Sequence, residues 1–355
     1  MGIPLATEAR LASLKGRTPT IATLCSHSSL QIFHGARVEG LPTLGISVGP
    51  PPKFYDAFPL ARPDQFLSVG TVKELPSIAG RLRDAGAVLV PHGSFVEYLG
   101  PEEFARLDVP VFGNRAVLGW ESDRRKERDW LESAGVTMPK LYEDSEEIHG
   151  PVIVKYYGAK GGKGFFLAKN REQLAEFRPS GPHVVQEYVL GTRYYMHFFY
   201  SPITEGGYRL EHGALELLGM DRRDEANIDE LYKLGAQEQL LKAGIRPTFV
   251  VTGNVPVVLR ESLLPKAFDI AGKIIERSIE LFGGMVGPFC LEGIMTEDLE
   301  YKVFEISTRI VAGTNLFISG SPYSDFVEPG LSNGRRIARE IKHGQATGRL
   351  AEILS

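Results

Sequence analysis

Four glycines and three lysines crowd the twelve residues KYYGAKGGKGFF, Lys155 to Phe166. A backbone this bare lets its amides approach an anion, and lysines neutralise it, so the stretch predicts a phosphate site. It is neither of the common phosphate loops. GxxxxGK[ST] would need glycine where Tyr157 stands and a hydroxyl where Gly164 stands, and GxGxxG finds lysines at glycine positions. Strand-like runs flank it on both sides, which predicts a hairpin closing over phosphates; a mobile surface hairpin is the plainer alternative. Shortly after comes Val184-Val185-Gln186-Glu187-Tyr188-Val189, a strand that could run into a hinge binding adenine through its backbone. Glu292 in FCLEGIM and Glu305 in KVFEIS each sit among apolar neighbours, where an acid is costly to keep. Two such acids on adjacent strands suit Mg²⁺ bridging the phosphates of ATP, with structural ion pairs as the alternative. Arg309 and Asn315 follow closely enough to hold a transferred phosphate or a reacting acid.

A second group of residues lies earlier. Ser26-His27-Ser28-Ser29 follows one strand-like run and opens a helix, and Pro91-His92-Gly93-Ser94 follows another. Each offers hydroxyls, an imidazole and free backbone N–H groups where an anion would sit. Singly they read as caps and turns; at strand ends of one sheet they read as a joint phosphate site. The basic cluster Arg124-Arg125-Lys126-Arg128 reads as a solvated helix face.

The elements that must position these groups fall into two sets. TIATLC, PTLGISV, QFLSV and AVLVP read as strands, alternating with helices over SHSSLQIFHGARVEG, PSIAGRLRDAG and PEEFARL. That alternation predicts a parallel sheet, which binds ligands at the carboxyl ends of its strands. WESDRRKERDWLESAG then reads as one charged helix. From PVIV onward strands dominate: PVIVKYY, GFFLA, HVVQEYV, YYMHFFYSP, RLEHGALEL, TFVVTGN, VPVVLR, PFCLEGIM and YKVFEIS, with one long amphipathic helix in SLLPKAFDIAGKIIERSIELFGG. Turns between them predict antiparallel sheets. The chain's 355 residues fit about two domains. A net charge of −4 gives no basic footprint for nucleic acid. Two distant cysteines, Cys25 and Cys290, fit neither a disulfide framework nor a zinc site and suit a reducing compartment. No long apolar run predicts a membrane span, and the first residues lack a signal-peptide core, so the expectation is a cytoplasmic protein.

The order of lysine strand, glycine hairpin, Gln-Glu hinge and two late glutamates resembles the ATP-grasp superfamily. Longer stretches resemble one family within it. IATLCSHSSLQIFHGARVEG, PHGSFVEYLG, KYYGAKGGKGFFLA, QEYVLGTRYYMHFFYSP, DRRDEANIDEL, VTGNVPVVLRESLL and FEISTRIVAGTNLF are similar to the archaeal-type formate-dependent 5-formaminoimidazole-4-carboxamide ribonucleotide (FAICAR) synthetases, the PurP family. Two positions depart from the pattern: Cys25 replaces a small residue, and Ser307 replaces the asparagine of E-x-N-x-R. The resemblance implies an α/β pre-ATP-grasp, Rossmann-like domain over 1–121 and an α+β ATP-grasp domain with antiparallel sheets over 122–355. It implies that His27, Ser94 and Asn254 bind the aminoimidazole carboxamide ribonucleotide AICAR. Lys155, Lys160, Gly161, Gly162, Lys163 and Gly164 would cradle ATP phosphates, Gln186, Glu187, Tyr188 and Val189 would hold adenine, and Glu225 or Glu230 would lie near the ribose or phosphates. Glu292 and Glu305 would hold Mg²⁺ or Mn²⁺, and Arg309 and His27 would act in catalysis. The implied reaction formylates AICAR with formate and ATP through formyl phosphate, in a homo-oligomer. The rivals are a ligase for another acid and amine, and a paralogue that binds AICAR or ATP without turnover.

Overall fold

The computed structural model describes residues 5–143, 145–156, 165–178, 181–228, 235, 237–244 and 248–355. Strands β1 (Thr20–Leu24), β2 (Thr43–Val48), β3 (Gln65–Val69) and β4 (Ala87–Leu89) form a sheet in the order β3-β2-β1-β4. All three pairings are parallel, as the alternation of strands and helices predicts. β1, β2 and β4 are apolar on both faces because helices cover both. Helix α1 (Ser29–Val38) returns β1 to β2, α2 (Ala79–Asp84) leads into β4, and α3 (Pro101–Arg106) carries Pro101 in its first turn.

The expected single charged helix is two. α4 (Val117–Glu121) ends before Asp123, whose side chain accepts from the amides of Arg125 and Lys126 at 3.0 and 3.2 Å and so starts α5 (Arg124–Ser133). Arg124, Arg125 and Lys126 are exposed, yet the opposite face buries Glu127, Trp130 and Leu131. Trp130 Nε1 donates to Ile274 O at 3.0 Å.

The remaining strands make two sheets. β5 (Leu141–Tyr142), β8 (His183–Glu187), β6 (Val152–Tyr156) and β7 (Phe165–Ala168) pair antiparallel in that order. The larger sheet runs β10 (Tyr208–Arg209), β11 (Ala214–Asn227), β9 (Thr192–Ser201), β13 (Gly287–Met295), β14 (Tyr301–Ser307), with β12 (Phe249–Pro256) on β11. Three boundaries differ from expectation. RLEHGALEL turns at Gly213 instead of running straight, β11 continues through the charged DRRDEAN, and only one strand covers TFVVTGNVP. Helix α6 (Leu264–Phe282) packs its apolar stripe on this sheet and ends at Gly283, a left-handed cap that glycine adopts without strain.

Helix α7 (Asn333–Ala346) docks on α1. Gly35 and Gly334 meet there so closely that a side chain on either would strike the other helix's backbone. Gln31 fastens the contact by accepting from Gly334 N at 3.1 Å and donating to Thr314 O. Among the described residues no helix is long and apolar enough to cross a membrane.

Candidate active site

Register on the larger sheet collects polar side chains on one face. Side chains directly opposite in antiparallel strands share a face, as do residues two apart. Asn254 stands opposite Arg223, Asp221 opposite Tyr195, Tyr195 opposite Glu292, and Glu292 opposite Glu305. The two glutamates expected on adjacent strands are therefore direct cross-strand neighbours. Arg223 Nη2 reaches Glu292 Oε1 at 2.9 Å and stacks over the Tyr195 ring at 3.6 Å. Ser307 Oγ lies 3.4 Å from the same Glu292 oxygen, so the residue in the asparagine position also faces the pair.

Carboxylates outnumber cations here. Glu305 keeps solvent contact, yet desolvation by the protein around it, then Glu292 and Glu121, push its carboxyl up to about 7. Glu127 is buried behind it and accepts from Ile306 N at 2.7 Å. Burial, then Glu305, raise Glu127 to about 9. A carboxyl whose folded pKa lies above its ordinary 4.5 stabilises the fold fully below that value and loses the contribution as pH rises toward 9. Glu127→Gln keeps the acceptor for Ile306 and removes the titration. Its melting temperature should pull ahead of wild type as pH rises from about 5 to 9, by roughly 2–4 °C at pH 8. A difference that does not change with pH would remove Glu127 from the cluster's electrostatics.

The segment after β14 joins this face to the first sheet. Thr308 donates to Glu121 Oε2 from both N (2.8 Å) and Oγ1 (2.7 Å), and Arg309 Nη2 meets Glu121 Oε1 at 2.9 Å. Ile310 bridges to His92 in parallel pairing. Gly313 packs on Asp221, where a side chain would collide with the carboxylate, and Phe317 covers Gly219 and meets His197 edge-on. Asn315, in the same segment, is exposed.

The strand-end loops of the first sheet converge as expected. Ser26 Oγ and Ser94 Oγ are 2.8 Å apart, and the His27 and His92 rings lie 4.6 Å apart. Ser28 takes a left-handed φ of 65° at the start of α1, and its Oγ lies 3.1 Å from His27 Nδ1. Burial, then the Arg309 guanidinium, pull His27 down to about 4; burial, then His27, pull His92 to about 3. Both imidazoles are neutral at physiological pH. His92 is fully buried, and its Nε2 donates to Leu24 O at 3.0 Å while Nδ1 accepts from Ser94 N at 3.3 Å. It therefore sets the turn that presents Ser94. A side chain at Gly93 would meet His27 Nε2 and approach the Arg309 guanidinium. Cys25 is half-buried beside Gly45, and burial raises its thiol to about 11.

On the smaller sheet, Lys155 Nζ donates to Gln186 Oε1 at 3.0 Å; burial, then Arg193 and Arg124, lower Lys155 to about 8. Glu187 accepts from Lys302 Nζ at 2.6 Å and Lys140 N at 3.0 Å, so its side chain is spent on the fold. β8 ends at Glu187; just past it Tyr188 N donates to Pro151 O at 2.9 Å and Val189 is buried. Glu225 lies on β11 beside a bulge, 3.9 Å from Arg193. Lys160, Gly161, Gly162, Lys163, Gly164 and Glu230 lie outside the described residues; β6 and β7, which flank the glycine stretch, do pair antiparallel.

Sequence reading missed Glu121, Glu127, Asp221 and Arg223. Strand alternation in DRRD would have put Asp221 and Arg223 on one face, and Glu127-x-x-Trp130-Leu131 is a buried helical stripe inside a charged run. His197 is 1% exposed and bound to Asp221, a packed residue.

A parallel sheet whose strand ends meet a face of paired glutamates, with a lysine strand and hinge on a second antiparallel sheet, makes this an ATP-grasp protein. Two family models cover most of it: "Protein of unknown function (DUF1246)" over residues 21–142 and "Domain of unknown function (DUF1297)" over 177–355. The chain is 62% identical over 337 residues to the 5-formaminoimidazole-4-carboxamide-1-(beta)-D-ribofuranosyl 5'-monophosphate synthetase of Methanothrix thermoacetophila, covering 95% of each chain. It is 62% identical over 336 residues to the synthetase of the same name from Methanococcoides burtonii, covering 94% of each. The crystal structure of an IMP biosynthesis protein PurP from Thermococcus kodakaraensis matches with a TM-score of 0.72 and 30% identity, over 94% of this chain and 100% of that one. The chain belongs to the PurP family of FAICAR synthetases.

Proposed function

We propose that this protein is an ATP-dependent ligase that joins formate to the 5-amino group of AICAR, giving FAICAR, ADP and phosphate. The observation that carries the reading is the segment Thr308–Phe317. It holds Arg309 between the imidazole loops of the first sheet and the Glu292/Glu305 pair of the second. Residues 1–121 supply the nucleotide-substrate site, to which the second domain adds Asn254, and 122–355 the ATP site, with Glu121 at their junction. The protein is cytoplasmic on the strength of its two distant, unpaired cysteines, and a homo-oligomer with small-molecule partners on the strength of the family resemblance.

Ser26, His27 and Ser94 offer uncharged donors to the AICAR phosphate, and Lys155 offers its ammonium to ATP. Glu292 and Glu305 fit a divalent cation, Mg²⁺ or Mn²⁺: they are cross-strand neighbours whose mutual repulsion a dication relieves. Such an ion, once bound, neutralises phosphate charge. In the reaction a formate oxygen attacks the γ-phosphorus and ADP leaves. The AICAR amine then attacks the formyl carbon, and phosphate leaves with the bridging oxygen while the nitrogen loses a proton. Arg309 would hold the acyl phosphate against the amine, and positioning with charge neutralisation would carry most of the rate.

The test is ADP release with Mg-ATP, AICAR and formate, each omitted in turn. ADP should require both AICAR and formate, with a formylated nucleotide as product. ADP formed without either dependence would assign the site another acid and amine. AICAR binding with no ADP under any condition would make the protein a non-catalytic binder.

A further inference from the structure

Asp221 is fully buried on β11, and a carboxylate offers acceptors only. His197 Nε2 lies 2.5 Å from its Oδ1, and Asn254 Nδ2 lies 2.6 Å from its Oδ2. Each neighbour must therefore turn an N–H toward it. For Asn254 the consequence is directional: with the amide nitrogen held inward, Oδ1 faces out and makes no hydrogen bond among the described residues. Gly313 and Phe317 pack against Asp221 and His197, which leaves the carboxylate no room to turn. Asn254 is half-buried, directly across from Arg223 on the face that carries Glu292. Arg223 is already bound to Glu292 and is not free to attract an anion beside the amide.

We propose that Asp221 is a positioning residue that fixes Asn254 Oδ1 as an acceptor, so that this part of the site selects a ligand group bearing N–H, a primary amide or aromatic amine, over a carboxylate. The inference rests on the reading of AICAR, which carries both groups, as the bound nucleotide. Turning the amide so that its NH₂ takes the place of Oδ1 toward a ligand carboxylate breaks the bond to Asp221, and a buried charge left short of a partner is penalised.

The experiment is steady-state kinetics of Asp221→Asn, Asn254→Ala and the double variant. Asp221→Asn lets the Asn254 amide turn, so the AICAR KM should rise about 10- to 100-fold while the ATP KM stays within about twofold. The double variant should be no worse than Asn254→Ala alone, because Asp221 acts through that amide. An unchanged AICAR KM, equal losses on both substrates, or full additivity would overturn the proposal. If Asp221→Asn does not fold, calorimetry on the wild-type protein carries the test. AICAR is compared with its 4-carboxylate analogue and its analogue lacking the 5-amino group. At least one should bind about 10-fold or more weakly, naming the group that Asn254 meets. Equal affinity for all three overturns the inference alone; no binding of any of them overturns the ligase reading with it.

Discussion

Glu305→Gln should reduce kcat by about 10³-fold while AICAR binds within about twofold of wild type. Glutamine keeps the volume and removes the charge. Glu305 stands directly opposite Glu292, and its repulsion from that carboxylate is what a cation would relieve. The imidazole loops that would hold AICAR lie on the other sheet, and Asn254, the AICAR contact on this one, is held by Asp221, so neither depends on this side chain. Folding should not suffer, because Glu292 retains Arg223 and loses a like-charged neighbour. Single-turnover ADP formation, AICAR titration and a melting curve check the three parts together. A kcat within tenfold of wild type would take the glutamate pair out of the reaction.

Arg309→Met should lose 10²- to 10³-fold in kcat, as expected for an oriented cation at a transferring group. It should also lose stability, on the order of 3 kcal/mol, since the buried Glu121 is left without its guanidinium. The two losses separate in the double variant Arg309→Met/Glu121→Gln. A neutral amide at 121 still accepts from Thr308, so most of the stability should return while kcat stays low. Recovery of both would make Arg309 a purely structural residue.

Much of this architecture was legible because the first sheet is written in short apolar runs punctuated by glycine and proline. Both glutamates could be picked out for the same reason, as lone acids in apolar strands. The residues that hold them were hidden by charge. Asp221 and Arg223 lie in DRRDEAN, where a run of charges carries no apolar period although the chain is a strand. Helix α7 was missed for a related cause: Arg336 and Glu340 on its inner face are buried but satisfy each other, so the stripe does not read as apolar. Glu127 was lost among the basic residues around it. Pairing between distant segments, such as Glu121 with Arg309, is set by tertiary packing that no local pattern encodes.

The strut from Thr308 to Phe317 is fixed at both ends, by Glu121 and His92 at one and by the fit of Gly313 and Phe317 against the larger sheet at the other. It acts as a ruler. The span between imidazoles and carboxylates is set before any ligand arrives, so a bulkier acid has to be accommodated by trimming side chains within that span, with the two sheets staying where the strut holds them.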